Sequence, residues 1–114
     1  MLIVITTVST QAAGEELAEK IVNAKLAACV QILPKMTSIY VWGNDLAKES
    51  EHLLLIKTLK EKYDELSAFI TSNHGYQVPE IVAIRSESIS SPYLAWMMKV
   101  FEVSEKSSSD PVNT

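Results

Sequence analysis

The period of the hydrophobic pattern changes several times along this chain, and each change marks an element. Leu2 to Val8 is a β-branched run that is apolar at both alternating sets of positions, which predicts a strand in the middle of a covered sheet. The period then lengthens. Ala13, Leu17, Ile21 and Ala24 recur at helical spacing, Glu15, Glu16, Glu19, Lys20 and Asn23 fall on the other side, and Ser9-Thr10 supplies a cap for the helix start. From 28 to 58 two extended runs flank Trp42-Gly43-Asn44-Asp45. Gly, Asn and Asp accept the positive φ of a tight reversal, so the runs predict a long β-hairpin. Pro34 sits inside the first arm and donates nothing to a ladder, so a bulge or an unpaired edge is expected there. In the second arm Leu53-Leu54-Leu55-Ile56 places apolar side chains on alternate faces, and both faces are expected to be buried.

After the hairpin, Thr58-Leu59-Lys60-Glu61 fits a capping box, in which the Thr hydroxyl and the Glu carboxylate each satisfy a backbone N–H at a helix start. Leu59, Tyr63, Leu66 and Ile70 line one face of that helix, and Asn73-His74-Gly75 predicts a glycine stop. Ile81-Val82-Ala83-Ile84-Arg85 reads as a fourth strand. Ser91-Pro92 opens a last helix with Tyr93, Trp96, Met97 and Val100 on its apolar face. One domain over 1–103 is expected, followed by a mobile tail over 104–114 that has too little apolar content to offset its ordering entropy. The element order predicts an α+β fold, a ferredoxin-like βαββαβ sandwich with an extra C-terminal helix and a long hairpin between its second and third strands. In such a sandwich one sheet face meets water, yet here the first and third strands carry apolar residues on it, and the hairpin arms outrun the other strands. A closed homo-oligomer would cover both.

Composition narrows the function classes. The net charge of -4 and the lack of any window of clustered Lys and Arg give no footprint for nucleic acid. The apolar start, Met1-Leu2-Ile3-Val4-Ile5, is too short for a membrane span and has no basic leader, so a cytoplasmic protein without a membrane anchor is expected. A single cysteine, Cys29, agrees with a reducing compartment.

Candidate chemistry is sparse. His74 lies at a helix end, where it suits the dipole when protonated, or it serves as a ligand; His52 faces water or a neighbouring chain. Cys29 is a small apolar filler or a thiolate ligand. Glu49 and Glu51 share a strand face, the arrangement of an acid–base pair but more commonly of a solvated edge. The three glycines stand singly and form no phosphate loop. No nucleophile and base can be assembled, so no catalytic residue is assigned and the chain is not expected to be an enzyme.

Ala27-Ala28-Cys29-Val30-Gln31, Ser38-Ile39-Tyr40-Val41-Trp42, Glu49 with Glu51, Lys57-Thr58, Tyr76-Gln77-Val78-Pro79-Glu80-Ile81 and Tyr93-Leu94-Ala95-Trp96 together resemble the successive motifs of the CutA family of divalent-cation tolerance proteins. The resemblance runs from Leu2 to about Val100. It implies a ferredoxin-like protomer in a homotrimer and a part in tolerance to copper and other divalent ions. Copper sites proposed for bacterial relatives use a Cys near the end of the first strand and a His-His pair before the Tyr-Gln-x-Pro-Glu motif; here those positions are Thr6, Asn73 and His74. Only one ligand of that set is retained, so weak binding of copper or another divalent cation is expected, through His74, Cys29 or acidic residues at subunit edges. A fold-level likeness to PII signalling proteins implies an alternative, a sensor or scaffold that takes a small molecule in an intersubunit cleft lined by Trp42, Lys57, Tyr76, Glu80 and Trp96.

Overall fold

A computed structural model of the chain describes residues 1–106, so most of the segment expected as a tail lies outside the described residues. Strand β1 (Leu2–Val8) is followed by helix α1 (Gln11–Asn23), strands β2 (Cys29–Ile32), β3 (Met36–Trp42) and β4 (Asp45–Thr58), helix α2 (Tyr63–Asn73), strand β5 (Val82–Arg85) and helix α3 (Ser91–Lys106). The sheet order is β2-β4-β1-β5, with every pairing antiparallel and β3 paired to the outer part of β4. β1 is central, as its two-faced apolar run predicts.

β4 is the backbone of the molecule. Its inner part pairs with β1 on one side and β2 on the other, in a register that sets Val4 opposite Ile56 and Val30 opposite Ile56. Its outer part pairs with β3 alone, closing at Gly43, whose φ of 66° is the left-handed conformation the turn requires. Pro34 divides the first arm as expected. The break is held by His52, whose Nδ1 donates to the Leu33 carbonyl at 3.0 Å, while the Leu33 N–H reaches the Leu53 carbonyl. His52 is buried rather than facing water.

Leu17 and Ile21 of α1 and Leu66 and Ile70 of α2 join Val4, Val8, Leu54 and Ile56 in one core, so both helices cover the same sheet face. Each fully buried Leu or Ile contributes about 1.5–3 kcal/mol from removal of its apolar surface from water. The other face is less covered. Leu53 and Leu55 are half-buried, and Val82 and Ile84 are exposed. Burial on both faces of the Leu53 to Ile56 run is therefore complete on the helix side only.

Two local expectations change. The Thr58 capping box does not form: the Thr58 hydroxyl donates instead to the Leu26 carbonyl at 2.7 Å, and a 3-10 turn over Lys60–Lys62, begun at Leu59 without a side-chain cap, precedes α2. A buried carbonyl 32 residues away won the hydroxyl because leaving it unpaired would cost more than an exposed helix end. α2 stops where His74 turns extended, with φ −91° and ψ 148°, rather than at a left-handed glycine. The left-handed stop is instead at α1, where Lys25 takes φ 61° and the Lys25 and Leu26 amides return to the Val22 and Ile21 carbonyls. Thr10 does cap α1, accepting from the Ala13 amide at 3.0 Å.

Candidate functional site

Polar groups gather where the 74–80 segment, leaving α2, crosses the ends of β1 and the middle of β4. His74 is placed by the extended turn at the end of α2, Thr7 by the central strand, and Glu51 by β4, two positions before its apolar run. The phenol of Tyr76 donates to Glu51 Oε2 at 2.7 Å. The Tyr76 amide donates to His74 Nδ1 at 2.9 Å, and His74 Nε2 meets the Thr7 carbonyl at 2.7 Å. The two rings lie 4.8 Å apart, tilted by 49°.

These partners fix the state of the imidazole. A carbonyl only accepts, so Nε2 carries the proton; an amide only donates, so Nδ1 is bare. Both ring nitrogens are thus occupied within the chain.

Glu51 is 7% exposed, so the reading of Glu49 and Glu51 as a solvated pair holds for Glu49 only. Burial raises the Glu51 pKa, but hydrogen bonds from Ser38, Tyr76 and Thr7 bring it below the usual carboxylate value. Burial also raises the pKa of Tyr76, reinforced by its bond to Glu51 and by the charges of Glu51 and Glu49. Tyr40, across the hairpin, is raised by desolvation and by Glu49. The arrangement holds a carboxylate ionised and a phenol protonated, which suits structure and positioning rather than proton transfer.

The pairing of Glu51 with Tyr76 escaped sequence reasoning, although a signal existed. Glu51 has the parity of Leu53 and Leu55, and a carboxylate at the end of a two-faced buried run needs a partner.

The candidate metal ligands do not converge. Cys29 is half-buried on β2 opposite Lys57, four positions along β4 from the residue that faces Thr7, so it lies about 13 Å along the sheet from the His74 contact. Asn73 turns its side-chain amide back to the Phe69 carbonyl at 2.8 Å, and the Thr6 hydroxyl is buried without a hydrogen-bond partner. No three His, Cys, Asp or Glu side chains among the described residues are grouped to hold an ion. A resident metal centre does not fit this donor set.

The five cleft residues are likewise spread out. Trp42 faces Asp45 at the hairpin tip, 65% exposed, and Lys57 is twelve positions further along β4. That separates them by about 40 Å at strand rise. Lys57 sets its ammonium 5.5 Å from the ring centre of Tyr93, which stacks at 5.4 Å on Trp96, while Tyr76 is tied to Glu51 and Glu80 is exposed. A cleft containing both Trp42 and Lys57 requires two copies of the chain.

Comparison with known proteins gives the context for this geometry. The chain is 41% identical over 96 residues to the chloroplastic protein CutA of Arabidopsis thaliana, covering 84% of this chain and 53% of that one. It is 37% identical over 95 residues to the divalent-cation tolerance protein CutA of Thermus thermophilus, covering 83% and 92%. It spans about half the length of the plant and mammalian relatives it matches. Among solved structures it superposes on the divalent cation tolerance protein of Thermus thermophilus with a TM-score of 0.82, covering 85% of this chain and 95% of that one at 37% identity. With CutA1 of Oryza sativa the TM-score is 0.84, the coverage 87% and 91%, and the identity 37%. The mixed α+β architecture and antiparallel sheet are shared with these structures. The model of the CutA1 divalent ion tolerance protein family matches residues 2–100, and the chain belongs to that family.

Proposed function

We propose that this chain acts in tolerance to divalent metal ions, copper among them, as a non-enzymatic homotrimer of ferredoxin-like protomers. The single observation that carries the assembly is the hairpin: Ile39, Val41, Trp42 and Leu46 are 59–71% exposed at its outer end, and among the described residues β3 pairs only with β4. An apolar overhang with a free edge is stabilised by pairing with further copies. The metal role rests on relatives named divalent-cation tolerance proteins. With no resident centre to fit, ion contact is weak and falls to exposed carboxylates such as Glu49 at subunit edges. A cytoplasmic setting, without nucleic-acid partners, completes the reading and agrees with a single unpaired cysteine. No described helix is long and apolar enough to cross a membrane.

Light scattering combined with calorimetric titration tests this proposal. The expected result is a trimer at low micromolar concentration that takes up Cu(II) or Zn(II) with affinity weaker than micromolar. A monomer, or a submicromolar stoichiometric site, would overturn it.

A further inference from the structure

We propose that His74, Tyr76 and Glu51 form a latch that fastens the 74–80 segment onto β1 and β4, with His74 as its joint rather than a metal ligand. The segment is otherwise poorly held: Gln77, Val78 and Glu80 are exposed, and it carries no regular secondary structure. Its attachment comes from three bonds in sequence, Nε2 to the Thr7 carbonyl, the Tyr76 amide to Nδ1, and the Tyr76 phenol to Glu51. The first two use both nitrogens of one ring, so the imidazole bridges the central strand and the segment. The third bond reaches β4 and is charge-assisted, which makes it the strongest of the three.

The latch has a consequence for the surface. His74, Gly75 and Tyr76 form one wall of a 240 Å³ cleft, and Ala13, Leu17 and Lys20 of α1 form part of the other. A closed latch fixes the first wall, and release would widen the cleft while baring Nδ1. A metal ion at His74 would have to displace the Tyr76 amide or the Thr7 carbonyl, so ion and latch compete. This inference stands whether or not the chain serves metal tolerance, because ions at exposed carboxylates leave the latch shut.

Nuclear magnetic resonance of the full chain, with amide exchange, tests it. The His74 ring should show the Nε2–H tautomer, and one equivalent of Zn(II) should leave its signals in place. Tyr76→Phe removes the phenol bond and should speed exchange of the 75–78 amides about tenfold, with the core amides unchanged. Glu51→Gln keeps an acceptor for the phenol and should restore most of the protection relative to Tyr76→Phe. An Nδ1–H tautomer, stoichiometric Zn(II) shifts at the wild-type ring, or unchanged exchange in Tyr76→Phe would each overturn the latch.

Discussion

The two ends of β4 belong to one strand and live in different worlds. Residues 52–58 pair with β1 and residues 54–57 also with β2, and Leu54 and Ile56 there have no exposed surface. Residues 45–50 pair only with β3, and Leu46 is 71% exposed. Continuous hydrogen bonding therefore says nothing about burial. The inner end is stabilised by side chains packed under α1 and α2, the outer end by its ladder and turn, with its apolar atoms left exposed. The inner end specifies the core of the chain, and the outer end carries the exposed apolar surface on which the proposed assembly rests.

The largest effect should come from breaking the inner end. Ile56→Ala removes a fully buried side chain from the core and should cost about 2–5 kcal/mol in denaturant unfolding, whereas Leu46→Ala should leave the protomer's secondary structure intact and weaken assembly by light scattering. Equal losses of structure in both variants would erase the distinction. A smaller effect belongs to Thr58, at the inner terminus: Thr58→Val strips the donor from the buried Leu26 carbonyl and should cost about 1–3 kcal/mol, read from the shift in denaturation midpoint. If Thr58 were instead a replaceable helix cap, the loss would be confined to fraying of α2.

The smallest effect lies at the junction of the two ends, where Glu51 sits. Its folded pKa is lowered, so its contribution to stability is present above the unfolded carboxylate value of 4.5 and is lost as pH falls below that value through the folded pKa. Denaturation midpoints between pH 7 and pH 3 should thus drop less in Glu51→Gln than in the wild type. Equal acid sensitivity of the two proteins would remove Glu51 from the account.

What the sequence determined by itself was set by neighbours within a few residues. The two-faced run of β1, the reversal at Gly43, the break at Pro34 and the Thr10 cap depend on backbone angles, on a missing N–H and on a hydroxyl three residues from its amide, and each is where the pattern places it. Tertiary structure decided the rest, because the groups concerned have partners the local pattern does not name. Thr58 could cap a helix or meet a carbonyl 32 residues back, and only the folding of β4 beside Leu26 selects the second. Glu51 reads as a surface carboxylate until Tyr76, 25 residues on, is laid over it, and His74 reads as a helix-end residue or a ligand until the Thr7 carbonyl, 67 residues away, accepts its Nε2–H. A polar side chain has several satisfying partners in solution and few in a packed interior. Its role is therefore fixed when the chain closes around it rather than when the residue is chosen.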